Sequence, residues 1–165
     1  MRTGLAIAGV ALTVVAVVAA ILSFTVVPHV LANLTTEVAA ADTPVPVGDE
    51  ATVTVPAGWA VQHPPFEEDT VRVISPDGGL VVTVTLVAAT ADDALDARGA
   101  DAARVTEPLT GGLQARHAGA DEHGFLAAVG SPQTARVLVF DANAPGGDIA
   151  PYTRALAQLL DGAAL

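Results

Sequence analysis

Two histidines, His117 and His123, are the residues of this sequence whose type and spacing could bind a metal. They flank residues 119–121, whose sequence Gly-Ala-Asp is typical of a tight turn between two strands. In a hairpin centred on Ala120 the two imidazoles would face each other, and the adjacent acidic residues 121–122 would add oxygen ligands for a divalent ion. A solvated hairpin tip explains the same pattern. We therefore predict no metal site, with His117 and His123 as the candidates if one exists.

Other reactive residue types lack the surroundings that their chemistry requires. Ser131 precedes Pro132 in a predicted turn, without the G-x-S-x-G sequence of a nucleophile elbow. The acidic residues at 67–69 and 92–93 do not have the alternating spacing of a calcium-binding loop. The sequence predicts no catalytic residue, no cofactor and a protein that is not an enzyme.

The charge and the cysteine count exclude several classes of partner. The chain has a formal net charge of −11 and contains neither lysine nor cysteine. Nucleic acid is excluded as a predicted partner because its recognition requires a basic surface, and peripheral attachment to anionic lipid is excluded for the same reason. Without cysteine there is no disulfide framework and no cysteine-based zinc site, so a packed core must hold the fold together.

The N-terminal part of the sequence predicts a membrane anchor. Residues 4–27 include no charged side chain, and as a helix they would extend about 36 Å, enough for a hydrocarbon core of about 30 Å. We predict a cytoplasmic N-terminus at residues 1–4 and a transmembrane helix at residues 5–27. A signal peptide cleaved near residues 30–32 is the alternative.

The distribution of charge predicts the orientation of that helix. Arg2 precedes it, whereas all 18 acidic residues follow it. The positive-inside rule then predicts a single-pass protein of the cell membrane, held by residues 5–27, with an extracellular C-terminal domain. Prolines indicate an extended extracytoplasmic linker at residues 28–50, followed by an extracytoplasmic domain at residues 51–165. The use of arginine without lysine is typical of GC-rich bacterial genomes.

Period-two alternation of apolar residues predicts seven strands, and a change to the helical period predicts two helices. The strands span residues 52–55, 59–63, 70–74, 80–87, 113–118, 122–129 and 135–140. The first helix is predicted from a capping sequence at Thr90 to about residue 105. The second runs from about residue 148 to about residue 161, and Tyr152 and Leu156 are assigned structural roles in its apolar stripe.

The single tryptophan, Trp59, directly follows a Pro-Ala-Gly sequence that ends at Gly58. A hairpin between residues 52–55 and 59–63 would place Trp59 beside Val55 on one apolar face. We therefore predict structural roles for both residues: Gly58 shapes the turn, and Trp59 fills the core.

Three short motifs of this chain resemble the PsbP-like group of α/β/α sandwich domains, which includes secreted and anchored actinobacterial proteins. They are Val-Pro-Ala-Gly-Trp at residues 55–59, Ser-Pro-Asp-Gly at residues 75–78 ahead of a strong strand, and the terminal amphipathic helix. The resemblance covers residues 51–165. It implies an accessory, assembly or binding role rather than catalysis, and it supplies no catalytic residues to transfer.

The predicted fold class is α+β, with an N-terminal transmembrane helix followed by a mostly antiparallel sheet of about seven strands, packed with helices in a PsbP-like sandwich. The predicted function is a single-pass membrane-anchored extracytoplasmic binding or assembly domain of the bacterial cell envelope, with an envelope protein as partner. The alternatives are a protein that binds a small ligand or lipid and, less favoured, a metal-dependent hydrolase that uses His117 and His123.

Overall fold

Eleven strands and two short α-helices make up the part of the chain that the structure, a computed structural model, describes: residues 36–100, 103–118 and 124–165. The helices are α1 (Ala91–Asp96) and α2 (Thr153–Asp161), and 3-10 turns occur at Thr110–Gly112 and Ala150–Tyr152. The strands are β1 (Thr36–Val38), β2 (Thr43–Val47), β3 (Ala51–Val55), β4 (Ala60–Gln62), β5 (Thr70–Ile74), β6 (Val81–Val87), β7 (Arg104–Pro108), β8 (Gln114–Ala118), β9 (Gly124–Gly130), β10 (Val137–Asn143) and β11 (Ala163–Ala164).

Eight strands form one antiparallel sheet in the order β1-β4-β5-β6-β10-β9-β8-β7. Its central strands are rich in valine, leucine and alanine, which suit a pleated and buried surface. Phe140 of β10 lies opposite Val84 of β6 on one side and Ala127 of β9 on the other, and all three side chains are buried. Because side chains alternate along a strand, this row and its neighbours give the sheet an apolar inner face.

A second antiparallel sheet, in the order β11-β3-β2, lies over that inner face. Val47 of β2 and Val53 and Val55 of β3 are fully buried in the same core cluster as Phe140. Helix α2 contributes the apolar stripe that its sequence predicts, since three of its leucines join this core: Leu156, Leu159 and Leu160. The main core is therefore enclosed by the two sheets and α2.

Helix α1 covers part of the opposite, outer face of the large sheet. Its Leu95 packs in a second cluster with Ala128 of β9 and Val139 of β10. The Oγ1 atom of Thr90 accepts a hydrogen bond from the backbone N–H of Asp93 at 3.2 Å, which confirms the predicted N-terminal cap.

The predicted fold class is wrong in its balance of sheet and helix. The described residues contain eleven strands in sheets of eight and three, and only two helices, one of six residues and one of nine. The strands that the sequence did not reveal are β1, β2, β7 and β11. They are the four edge strands of the two sheets. An edge strand gains its hydrogen bonds from one neighbour and buries little, so its own apolar alternation is weak.

Two of these strands change how their segments are understood. The first, β2, lies in residues 28–50, which the sequence analysis assigns to a linker, and Val45 and Val47 of this strand are buried. The second, β7, takes up the end of the predicted first helix. That helix stops at Asp96, and Gly99 follows with φ of 74°, a left-handed conformation that cannot continue a right-handed helix.

The described residues also bear on the predicted membrane topology. Neither of the helices in the described ranges has the length and hydrophobicity that crossing a bilayer requires. This finding contradicts the predicted single-pass membrane protein and its localisation in the cell membrane, which are not retained. Residues 5–27, on which that prediction rests, lie outside the described residues, as do residues 1–4 and 28–35.

The hairpin predicted around Trp59 is also wrong. Strand β3 pairs with β2 and β11, whereas β4 pairs with β1 and β5. The chain therefore crosses from the small sheet to the large one between these two strands, at residues 56–59. The apolar side chains of β3 and β4 meet across the core between the sheets, not side by side on one surface.

Candidate functional site

Trp59 and Gly58 lie at the crossing between the two sheets. The side chain of Trp59 is 6% exposed and belongs to the main core. Gly58 has φ of 84°, and its N–H donates to the carbonyl of Ala39 at 2.7 Å. The N–H of Ala39 in turn donates to the carbonyl of Trp59 at 2.9 Å. A side chain at position 58 would be strained in this conformation, so Gly58 serves the crossing, and the ring of Trp59 is buried beside it.

The histidine hairpin has a different register from the one that the sequence predicts. His117 of β8 lies opposite Ala127 of β9, not opposite His123, which falls outside the described residues. A slip of this size preserves which face each side chain occupies, because it changes each pairing by an even number of residues. Leu113 and Ala115 therefore still share the inner face with Phe125 and Ala127, although the opposed pair of imidazoles is lost.

His117 is engaged in local packing. Its ring centroid is 5.2 Å from that of Phe125, its Nε2 is 3.5 Å from Oε1 of Glu107, and its Nδ1 is 3.3 Å from the carbonyl oxygen of Ala118. Across the described ranges no group of three or more histidine, cysteine or acidic side chains is arranged to hold a metal ion. The geometry gives no support to the metal-dependent hydrolase.

A polar cluster is found at the turn between β5 and β6, residues 75–80, which we call the Asp77 turn. Asp77 accepts three hydrogen bonds: from the hydroxyl of Ser75 at 2.5 Å, from the N–H of Gly79 at 3.0 Å and from the hydroxyl of Tyr152 at 2.7 Å. The N–H of Leu80 donates to Oγ of Ser75 at 2.9 Å. Tyr152 lies in the 3-10 turn before α2, not within the helix as predicted, and its hydroxyl ties that region to the Asp77 turn.

The electrostatics of the Asp77 turn indicate structure rather than catalysis. Hydrogen bonds from Ser75, from Tyr152 and from the backbone of Gly79 lower the pKa of Asp77 from 3.8 to about 2, because they stabilise the carboxylate. The same bond to Asp77 raises the pKa of Tyr152. A general base needs a higher pKa than this carboxylate has, and a nucleophilic tyrosine a lower one. These hydrogen bonds therefore favour an ionised Asp77 and a neutral Tyr152, which suits a structural cluster.

The connection at the other end of β5 has the opposite character. Residues 63–69, which we call the Phe66 loop, join β4 to β5. Of the large apolar side chains in the described ranges, four are exposed, and Phe66 is the aromatic one, at 101% of its reference area. Its φ of 70° makes it the sole non-glycine residue with positive φ among those described. A large side chain in this conformation costs of order 1–3 kcal/mol, so the fold holds Phe66 outward against a local preference.

Backbone hydrogen bonds fix the Phe66 loop in place. Within the loop and its junction with β5, the N–H of Glu67 donates to the carbonyl of Pro64 at 3.3 Å and that of Thr70 to the carbonyl of Glu67 at 3.0 Å. From outside, the N–H of Gly48 donates to the carbonyl of Glu68 at 3.1 Å. A fourth bond runs to Asp69 from β6. The exposed ring therefore stands on an anchored backbone.

An acidic groove of about 350 Å³ runs beside the ring, between the Phe66 loop and the end of β2. Its lining includes four carboxylates, from Asp49, Glu67, Glu68 and Asp69. The side chains of residues 67–69 make no hydrogen bond or ion pair to any part of the chain that the structure describes. Gly48 forms one wall, where a Cβ atom would lie 2.5 Å from Oδ1 of Asp69. The close approach of the loop to β2 thus depends on glycine.

Sequence reasoning identified the Phe66 loop only as a loop. Its residue types carry one further signal: Pro64 and Pro65 restrict the backbone immediately before a single aromatic residue that acidic residues follow. An aromatic residue in such a polar segment has no apolar neighbours with which to form a core. The exposure of the Phe66 ring does not follow from these residue types alone, and the structure shows it.

Comparisons with known proteins do not identify a family. No protein-family model matches this chain, and no curated protein and no solved structure matches it. The resemblance to PsbP-like domains stays a prediction. Function must therefore be inferred from the chain's own side chains.

Proposed function

We propose that residues 36–165 form a non-catalytic binding domain that recognises a basic partner protein through the Phe66 loop. The observation that carries this proposal is the complete exposure of Phe66 on an anchored backbone of unfavourable φ. Aromatic side chains, phenylalanine included, are enriched in the buried core of protein interfaces. Strain retained at one exposed residue is typical of a functional position.

The partner's chemistry follows from what the loop presents. A phenyl ring requires an apolar pocket, and burying it fully contributes about 1.5–3 kcal/mol. The ring is bordered by Glu67 and Glu68, whose carboxylates have no partner within the described residues, so the rim of that pocket should carry lysine or arginine. The chain's net charge of −11 attracts a basic partner over a longer range and repels an acidic one.

The acidic groove provides a second point of contact. Its carboxylates converge on a space of about 350 Å³ beside the ring, which is large enough for an arginine or lysine side chain of the partner. A guanidinium there would pair with carboxylates and could also lie against the face of Phe66, an arrangement that contributes about 0.5–1 kcal/mol at an exposed site. The partner is thus expected to combine an apolar pocket with an adjacent basic side chain.

This proposal keeps the binding role that the sequence predicts and omits the membrane anchor. The described polar clusters favour it over catalysis, because the Asp77 turn has a carboxylate of lowered pKa and a tyrosine of raised pKa. His117 is packed against Phe125 and adjoins Glu107.

A photo-crosslinking experiment tests the proposal. A photoreactive phenylalanine analogue is introduced at position 66 of the full chain in the cells that produce it, and at position 105 as a control. Val105 is also exposed, at 50%, but lies on the edge strand β7. We expect a specific protein crosslinked from position 66 and not from position 105. No crosslink from position 66, or the same products from both positions, would overturn the proposal.

Charge variants test the partner's basic character. Glu68→Gln removes one charge at the loop, and Asp141→Asn removes one exposed charge on β10. Glu68→Gln should slow association with the crosslinked partner and reduce its dependence on salt, while Asp141→Asn leaves both closer to wild type, because steering depends on charges near the contact. Equal effects from the two variants would contradict a contact at the Phe66 loop.

A further inference from the structure

A cavity of about 220 Å³ lies on the outer face of the large sheet, and none of its lining residues belongs to the Phe66 loop. It lies where α1 begins, beside strands β7 and β8 and the turn at residues 131–134. We call it the Arg116 cavity. Most of its lining side chains are polar: Thr90, Asp92, Thr106, Gln114, Arg116, Ser131 and Thr134.

The strand register explains how these side chains come together. Thr106 of β7 lies directly opposite Arg116 of β8, and Gln114 of β8 lies opposite Gly130 of β9. Residues two apart on β8 share a face, so Thr106, Arg116 and Gln114 all stand on the outer surface. Gly130 is closely packed, since a Cβ atom there would lie 2.7 Å from Cγ1 of Val137.

Arg116 is incompletely satisfied within the described part of the chain. Its Nε atom is buried and 2.6 Å from Oδ1 of Asp92, yet the alignment does not make a hydrogen bond. That same oxygen already accepts a hydrogen bond from Arg104 at 2.8 Å. Arg104 also pairs with Asp96 and donates to the carbonyl of Ala100 at 2.8 Å. Arg104 therefore pairs with both carboxylates, whereas Arg116 pairs with Asp92 alone and shares it with Arg104.

The polar side chains around Arg116 have unused hydrogen-bonding capacity. In the ranges that the structure describes, the terminal nitrogens of Arg116, the hydroxyls of Thr106 and Thr134 and the amide of Gln114 make no hydrogen bond. Asp92 and Asp96 each have an arginine beside them, and the carboxylate of Asp93 accepts a hydrogen bond from the hydroxyl of Thr90 at 2.7 Å. The chain's net charge of −11 also repels a small anion, so the direct contacts with Arg116 and its neighbours must supply the affinity.

We propose that the Arg116 cavity binds the carboxylate of a small organic acid, with Arg116 as its cation and Thr106 and Gln114 as additional donors. A guanidinium matches the planar geometry of a carboxylate and can donate two parallel hydrogen bonds to it. The apolar part of the lining, from Ala91, Pro132 and Val137, suits a short aliphatic chain. The volume is below the roughly 300–1,000 Å³ of sites for larger ligands, so a short acid is expected. This site is independent of the Phe66 loop.

A pair of matched probes tests the site. Sodium butyrate and the uncharged amide butyramide are titrated into the full chain while backbone amide resonances are followed by NMR. Butyrate should give saturable shifts at Thr106, Gln114 and Arg116 with a dissociation constant of about 1 mM, an ordinary affinity for so few atoms. Butyramide should bind at least about tenfold more weakly, since it lacks the charge that Arg116 recognises. Absence of saturation, or equal binding of the two probes, would overturn the proposal.

Four variants locate the effect. Arg116→Gln should abolish butyrate binding, and Thr106→Val should weaken it several-fold while the guanidinium keeps its contact with Asp92. Thr106 is exposed on an edge strand, so this variant stays folded even if Arg116→Gln does not. Arg72→Gln, which changes an exposed arginine on β5, should leave binding unchanged. Wild-type affinity in Thr106→Val would contradict the assignment, as would the same loss in Arg72→Gln. Phe66→Ala should retain butyrate binding, which separates this site from the proposed function.

Discussion

The two ends of strand β5 carry acidic residues that the fold uses in opposite ways. At the Asp77 turn, the carboxylate accepts hydrogen bonds from Ser75, Gly79 and Tyr152, and its side chain is a structural part of the domain. At the Phe66 loop, backbone hydrogen bonds fix the chain while the side chains of Phe66, Glu67 and Glu68 face solvent without partners in the described residues. Side chains that folding leaves unused on a fixed backbone are the ones free to contact another molecule.

The largest expected effect comes from the crossing between the sheets, next to the Asp77 turn. A Cβ atom added at Gly58, just before Trp59, would lie 3.7 Å from Cγ of Pro76 in that turn. Trp59→Ala should lower the free energy of unfolding by about 3–5 kcal/mol, because it removes a buried aromatic ring and leaves a cavity. Urea unfolding of the full chain measures this change.

Phe66→Ala is the matched control for the tryptophan variant. It removes an aromatic ring that touches solvent instead of the core, so the free energy of unfolding should stay within about 0.5 kcal/mol of wild type. Equal losses in the two variants would remove the distinction between a structural and a presented aromatic residue.

The second effect depends on pH and belongs to the Asp77 turn. Because folding lowers the pKa of Asp77 to about 2, its carboxylate stabilises the fold above its ordinary pKa of 3.8. That contribution is lost as the pH falls through about 2. Asp77→Asn should therefore lower the unfolding midpoint at pH 5–7, and the difference from wild type should shrink between pH 4 and pH 2.

Glu68→Gln supplies the comparison at the other end of β5. The side chain of Glu68 makes no hydrogen bond to the described residues, so this variant should unfold like wild type at pH 7. A loss of stability at pH 7 as large as that of Asp77→Asn would show that the Phe66 loop uses its acidic side chains for folding.

The smallest expected effect isolates the backbone strain at Phe66. Phe66→Gly and Phe66→Ala both remove the ring, but only glycine adopts a φ of 70° without a steric cost. The glycine variant should be the more stable of the two by about 1 kcal/mol, as measured by urea unfolding. If the alanine variant is equally stable, Phe66 is not held in an unfavourable conformation.

The sequence predicted the buried strands better than the edges and the surface. Strands such as β6 and β10 carry apolar residues that must be covered, so their positions follow from alternation. The edge strand β7 has a weak pattern of its own and depends on hydrogen bonds to β8. The register of β8 with β9 was missed by an even number of residues, because the apolar faces constrain which side faces inward and not the length of the turn.

The candidate sites were less predictable than the fold for a related reason. Phe66 is a candidate because its ring is exposed, and Arg116 because its hydrogen-bonding groups are incompletely satisfied. Neither property leaves a periodic signal in the sequence. His117 and His123 attracted attention by residue type, yet the position of His117 depends on a register that neighbouring strands determine. Trp59 is buried, but not through the predicted hairpin: Gly58, with φ of 84°, lies where the chain crosses between the two sheets.

The most direct test of a partner-binding role for the Phe66 loop is the affinity of Phe66→Ala for the partner crosslinked at position 66. Dissociation constants are measured by calorimetry for the wild-type full chain, for Phe66→Ala and for Val105→Ala as the exposed apolar control. We predict that Phe66→Ala weakens binding by about 30-fold or more, the loss that accompanies a dominant interface residue, whereas Val105→Ala leaves affinity unchanged. An affinity of Phe66→Ala within twofold of wild type, with its fold intact, would contradict the account.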